Sequence, residues 1–488
     1  MHGADPRDTR IAQLEELVAG LIARVDALAA ENAALKVENA ALKAEVVELK
    51  ARLGTNSTNS SMPPSSDPPG VERPKKAPTG RKRGAQPGHK RYRRELFPPE
   101  QVDETFDCIP KICDFCDAVL PDQPDSNPLR RQIVDIPRIR PKVTELRIHA
   151  CQCECCGRVT RGKAPAHLPR GDFGPRVQAV LALLTGKLGA SKRSAQEFLS
   201  DVLGVDLCVG SVSKAEAIVS EALAPAVAEA EQHVRQQPAA NLDETGWREN
   251  KVRAWLWVAA AGLVTVFKVA TSRGGQVAKE LLGEGFAGIV TTDRWSGYNW
   301  LPVELRQLCW AHLKRDFQKM ADRGGAGGAI GEALLSETKR MFRWWARTRD
   351  GTLPRYRFEN RMKKLERRVV GLLRDGEVCP DGKVSGMCRE ILKLEPALWT
   401  FVRVVGLEPT NNRAERDLRR AVLWRKGCFG TDSETGSRYA ERILTTTTTL
   451  RKQKRHVLDF LVQSIEADLR GETGPSLLPV TQLVQAAA

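Results

Sequence analysis

The chain has 488 residues, more than one hydrophobic core organises, so several domains are expected. It carries 76 Lys and Arg against 60 Asp and Glu, a net charge of +16 that favours a polyanionic partner, most often nucleic acid. The apolar stretch Ala254 to Phe267 is too short for a bilayer span of roughly 20 apolar residues. With no basic-then-apolar signal at the start, the 12 cysteines read as thiols or metal ligands of a reducing cytoplasm rather than as disulfides.

A heptad repeat opens the chain over residues 8–53. Leu14, Leu21, Leu28, Leu35, Leu42 and Leu49 fill the d positions, and Ile11, Val18, Val25, Asn32, Asn39, Val46 and Leu53 the a positions. β-Branched residues at a with Leu at d favour a parallel two-stranded coiled coil, and buried Asn fixes its register. Glu31, Glu38 and Glu45 at g would face Lys36, Lys43 and Lys50 at e of a second copy, so a homodimer is expected. A single amphipathic helix folded back on its own domain is the alternative.

Residues 54–94 read as a linker, first Ser-, Asn- and Pro-rich, then basic. Lys75, Lys76, Arg81, Lys82, Arg83, Lys90, Arg91, Arg93 and Arg94 are its candidate DNA-binding residues, contacting phosphates without reading sequence. A solvated charge run fits the same residues. Residues 95–170 hold two CxxC pairs, Cys113 with Cys116 and Cys153 with Cys156, a four-sulfur set suited to structural Zn²⁺. Cys108, Cys151 and Cys155 stand close enough to compete as ligands. The stretch QIVDIPRIRPKVTELRIHACQC between the pairs reads as β-strands of a ribbon-like module. Residues 171–237 are helical in pattern, with a helix, a Gly-containing turn and a second helix from near Ser211. A helix-turn-helix or an ordinary helical hairpin fits.

From Pro238 the pattern changes to strands. AANLDETGW, VRAWLWVAA and LVTVFKVAT run apolar or alternate, with a hairpin turn near Ala261-Gly262. A helix fits QVAKELLGEG, and FAGIVTTD reads as a fourth, buried strand. Three antiparallel strands, a helix and a parallel strand give the order of an RNase H-like core, in which the first strand is central and the fourth lies beside it. Asp243 and Asp293, at the ends of two such strands, would then be neighbours. Adjacent side chains on a strand face opposite sides, so Asp243 rather than Glu244 is the candidate. Both acids also read as solvated turn residues. Glu415, one turn into a helix opening with Asn, is the third; Asn412-x-x-Glu415 equally has the spacing of a capping box.

The motifs NSTNSSMPPSSD, RGAQPGHK, the CxxC pairs, NLDET, VTTDRWSGYN, CWAHLKRDF and TNNRAERDLRRAV occur in that order. The series resembles the IS-sixty-six family of bacterial insertion-sequence transposases over most of the chain. The resemblance implies an Asp-Asp-Glu transposase whose metal-binding acids are Asp243, Asp293 and Glu415. It also implies a helical insertion in the core of residues 238–470, here about 324–405, and leaves 471–488 as a tail. Thr410 stands where relatives tend to have Asp, and Arg91 where Gly is usual. The expected fold class is thus multidomain α+β, with a coiled coil, a zinc-ribbon-like module, a helical region and an RNase H-like core.

The implied chemistry is cleavage and strand transfer of DNA with Mg²⁺ or Mn²⁺ held by carboxylates. His312, Asn412 and Arg416 are secondary site candidates; a packed Trp310 with a hydrogen-bonding His312 is the plainer reading of CWAH. Arg413, Arg419 and Arg420 join Arg416 as candidate phosphate contacts. Expected partners are the element's ends, target DNA, a second copy and accessory proteins of the element, with no membrane. A non-catalytic dimeric zinc-containing regulator, an inactive transposase relic and a metal-dependent nuclease without joining fit the same features.

Overall fold

A computed structural model describes residues 6–53, 94–165, 167–169 and 171–479; in the first stretch it describes the side chains of residues 10 and 15–46. Eight of the nine basic linker candidates, Lys75 to Arg93, lie outside the described residues. Of the described chain, 6–53 and 302–410 fall in one unit and 94–301 and 411–479 in the other.

The heptad segment forms one helix, α1 (Pro6–Leu53). Leu21, Leu28, Leu35 and Leu42 on it are each more than half exposed. In the cysteine-rich module each CxxC pair sits in a tight turn. Cys113 N–H bonds Ala118 O at 2.9 Å, and Cys153 N–H bonds Arg158 O at 2.8 Å. Around the second turn, β1 (Ala150–Gln152) pairs antiparallel with β2 (Val159–Arg161). The remainder of the expected ribbon strands does not form: residues 132–149 contain no strand. Pro137 and Pro141 remove ladder donors, and apolar side chains such as Ile133, Ile136 and Val143 stay exposed with no neighbouring strand to cover them.

Three helices follow: α2 (Pro175–Ala182), α3 (Lys192–Leu203) and α4 (Val209–Arg235). Ser191 caps α3 by accepting from Ser194 N, and Gly204 ends it at φ 64°, a left-handed position that suits glycine. Helix α4 starts two residues before Ser211 and buries Val219, Leu223, Val227, Ala230 and Val234 at helical spacing in the main core.

The sheet of this unit is built from β3 (Ala239–Glu249), β4 (Val252–Ala261) and β5 (Val264–Ala270), then α5 (Gly275–Leu282) and β6 (Ile289–Thr292). Strand β3 pairs antiparallel with β4 and parallel with β6, while β5 pairs antiparallel with β4. The first strand is therefore central, with the fourth beside it. Both hairpins turn on positive φ, at Asn250 and Lys251 and at Gly262. One sheet face, with Ala240, Leu242, Trp257 and Ala259, packs on α2, α4 and α5.

The Pro302–Thr410 part of the other unit has β7 (Arg306–Leu308), α6 (Trp310–Ala321), α7 (Gly325–Arg349), α8 (Arg355–Glu377), α9 (Gly382–Leu392) and α10 (Thr400–Arg403). Helix α8 buries Phe358, Met362, Leu365, Val369 and Leu373, one stripe at helical spacing. Gln307 fixes the end of the unit by accepting from Phe401 N at 2.6 Å. The chain then returns as α11 (Asn412–Cys428), α12 (Glu434–Lys452) and α13 (Val457–Arg470). Ala414, Leu418 and Ala421 of α11 pack with Trp247, Leu256 and Val258 on the other sheet face, and α13 joins the first. Among the described residues no helix is long and apolar enough to cross a membrane.

Candidate active site

Strand alternation puts Asn241, Asp243 and Trp247 on the sheet face that α11 covers, and Leu242 and Glu244 on the opposite one. The parallel register of β3 and β6 pairs Ala239 with Ile289, Ala240 with Val290 and Asn241 with Thr291. Continued by two residues, that register would bring Asp243 opposite Asp293, just past the end of β6. Adjacent strands lie about 4.8 Å apart, and in-register residues share a face.

Glu415 comes to the same face on the first turn of α11, next to buried Ala414. The capping-box alternative does not form. Asn411, not Asn412, is the N-cap residue, and no side chain caps the helix start. Asn412 is already helical and exposed.

The electrostatics tie the three acids together. Burial pushes the Asp243 carboxyl well above its ordinary range, and the negative charges of Glu244, Glu415 and Asp293 push it further. Among the described residues the oxygens of Asp243, Asp293 and Glu415 do not all lie within 4.8 Å of one another, yet the carboxylates share one negative, partly dry environment that a cation would stabilise. The donor set therefore fits a hard divalent ion such as Mg²⁺, which takes oxygen ligands. Glu244 has other work: its carboxylate accepts from the Tyr298 hydroxyl at 2.6 Å and pairs with Arg273 at 2.7 Å.

The other candidates are placed as follows. Arg416 is exposed and its Nε donates to Asn412 O at 3.1 Å. Arg419 and Arg420 are exposed on the same helix, and Arg413 is half-buried. His312 is half-buried in the first turn of α6, in the other unit. Trp310 beside it is fully buried, donating to Leu398 O at 2.8 Å and packing 5.2 Å from the Trp399 ring. Arg94 donates to Gln132 O and lies over the Phe97 ring.

Both CxxC turns lower the first thiol of the pair. Backbone N–H groups of Phe115 and Cys116 act on Cys113, and those of Cys156 and Cys155 on Cys153. Such thiols suit metal ligation. Among the described residues, however, no three of the sulfurs of Cys113, Cys116, Cys153 and Cys156 lie within 4.8 Å of one another.

Asn412, the candidate read from the sequence, is exposed, whereas its neighbour Asn411 and Tyr298 are buried. The signals were present as the Asn pair in TNNRAER and the Tyr in DRWSGYN, but neither reveals which side chain turns inward.

A family model described as "Transposase IS66 family" matches residues 170–439, and one described as "Family of unknown function (DUF6444)" matches residues 4–95. The chain is 25% identical over 355 residues to the uncharacterized protein y4hP of Sinorhizobium fredii (strain NBRC 101917 / NGR234), covering 65% of this chain and 63% of that protein. It is 27% identical over 244 residues to the uncharacterized protein y4qI of the same organism, covering 45% of this chain and 44% of that one. The chain thus spans less than two thirds of the length of either relative.

Proposed function

Because the chain belongs to the transposase IS66 family, we propose that it cleaves and joins DNA by metal-dependent phosphoryl transfer, with Asp243, Asp293 and Glu415 as its catalytic acids. The observation that carries this is the shared charge environment of three carboxylates from a central strand, its parallel neighbour and the helix on that face. Such a sheet with such a site supports an RNase H-like reading of the core.

A bound pair of Mg²⁺ or Mn²⁺ would supply charge stabilisation for the attacking and leaving oxygens. The three carboxylates would hold that charge in place, and α11 would fix Glu415 relative to the sheet. Crowding and dehydration of Asp243 keep the acids poised for a cation. Exposed Arg416, Arg419 and Arg420 would hold DNA phosphates beside the site. The basic linker would add affinity that falls with salt. Zn²⁺ on Cys113, Cys116, Cys153 and Cys156 would order the cysteine-rich module, drawing its two turns together.

The test is cleavage of a supercoiled plasmid carrying the element's ends, with Mg²⁺ or Mn²⁺. Asp243→Asn, Asp293→Asn and Glu415→Gln should each slow cleavage by about 100-fold or more, since each removes several kcal/mol of charge stabilisation. Parent-level cleavage by all three variants overturns the assignment. Specific binding with no cleavage by the parent under either metal would make the protein a DNA-binding regulator instead.

A further inference from the structure

We propose that Asn411 and the Glu244–Tyr298 pair are positioning residues that hold Glu415 and Asp293 against Asp243 through its two chain neighbours. The proposal rests on the reading of those three acids as the site.

On one side the link runs through Leu242, the residue before Asp243. Asn411 Nδ2 donates to Leu242 O at 2.6 Å, and Asn411 Oδ1 accepts from Asn241 Nδ2 at 3.1 Å. The Asn411 side chain is fully buried, and its own carbonyl accepts from Glu415 N at 3.2 Å. One residue thus ties the strand at Asp243 to the backbone of Glu415. Asn is a favoured N-cap residue because its side chain can bond the first free helix N–H groups. Here it stands at that position, and no side chain caps the helix.

On the other side the link runs through Glu244, the residue after Asp243. Its carboxylate is 4% exposed and accepts from the Tyr298 hydroxyl at 2.6 Å and from Arg273 Nη2 and Nε at 2.7 and 3.0 Å. Tyr298 ends the short turn that begins at Asp293, whose Oδ1 accepts from Trp295 N at 2.9 Å. The rings stiffen that turn: Tyr298 lies edge-on 5.3 Å from Trp295 and 6.4 Å from Trp257, with Arg273 over Trp295 at 4.6 Å. The Asp293 turn is thereby fastened to the strand one residue from Asp243.

Burying an amide and a carboxylate costs free energy that apolar side chains of the same volume would avoid. The amide bonds the residue before Asp243, and the carboxylate belongs to the residue after it. Like charges crowded together separate unless held, and a hard cation needs its oxygens at set distances. A function in fixing acid-to-acid spacing accounts for both placements.

The test uses the full-length chain and variants Tyr298→Phe, which removes one oxygen, and Asn411→Ala, with Asp243→Asn as reference. Two quantities are read: the Mg²⁺ concentration for half-maximal plasmid cleavage, and Mn²⁺ binding by calorimetry without DNA. Loss of groups that orient metal ligands costs about 10–100-fold in metal affinity, so both should weaken by that factor while DNA affinity stays at the parent level. Asn411→Asp should not restore binding, because a carboxylate cannot donate to Leu242 O. If Asp243→Asn abolishes cleavage while Tyr298→Phe and Asn411→Ala keep the parent metal dependence, the positioning proposal alone is overturned. If Asp243→Asn also behaves like the parent, the three-acid site falls with it. Should Asn411→Ala not fold, as shown by circular dichroism, Tyr298→Phe decides.

Discussion

At Glu441 a single buried acid couples stability to pH. Its carboxyl is 8% exposed and accepts from Val269 N at 2.5 Å, with Arg438 at 3.0 Å. Burial pushes it up to about 7 from 4.5; Glu231 adds to the rise, and Arg438, the Val269 N–H and Lys268 oppose it. Between those values the folded chain keeps a proton that the unfolded chain has released. Its contribution to stability is fullest below pH 4.5, falls as pH rises through that window and levels off above about 7. Glu441→Gln keeps the acceptor without the charge. Urea midpoints measured from pH 5 to 8 should fall for the parent, by up to about 3 kcal/mol in stability, and stay flatter for the variant. A parallel decline in both would exclude Glu441 as the cause. The sheet face of Asp243 was legible at this scale, since strand alternation separates it from Glu244. Asn411 was not: which of two adjacent Asn residues turns inward depends on where the helix starts against the strand.

Helix α12 shows how an element can be opaque in sequence and plain in the fold. TTTTTL suits neither a good helix former nor an apolar stripe. In the structure α12 lies along β5, the edge strand, whose outer N–H groups would otherwise be unpaired. Thr265 N, Phe267 N and Val269 N are met by Thr449 Oγ1, Thr445 Oγ1 and Glu441 Oε1. Four helical residues rise about 6 Å and two strand residues about 6.6 Å, so side chains spaced by four keep step with alternate strand amides. Thr449 Oγ1 also donates to Thr265 O. Thr449→Val strands two buried polar groups and should lower stability by about 1–3 kcal/mol in denaturant unfolding. Thr446 Oγ1 is buried with no hydrogen-bond partner, so Thr446→Val should be neutral or stabilising. Equal losses at both positions would contradict the edge-pairing account. The opposite error came in the cysteine-rich module, where β-branched residues suggested strands that Pro137 and Pro141 interrupt.

For the whole molecule, we propose that a second copy assembles on α1. Leu21, Leu28, Leu35 and Leu42 on it are 55%, 53%, 52% and 53% exposed, a repeating apolar stripe that a second copy would cover. Leu28→Pro with Leu35→Pro breaks that helix where the stripe runs. Sedimentation of the full chain should show half the parent mass, with the sheet unit's near-ultraviolet spectrum intact. An unchanged mass would rule out the zipper.

Residue pattern by itself determined the periodic features. A heptad repeat, alternating strands, short turns and CxxC spacing are local, because each follows from side-chain periodicity and backbone sterics over a few residues. The order of strands also made the first strand central, with the fourth beside it. Only the tertiary structure decided what depends on contacts across many residues. It left Glu415 out of a capping box, turned Asn411 toward Leu242 and Glu244 toward Tyr298, and gave Thr445 and Thr449 an edge strand to pair. Those outcomes rest on hydrogen bonds between segments far apart in sequence, whose partners no local pattern names.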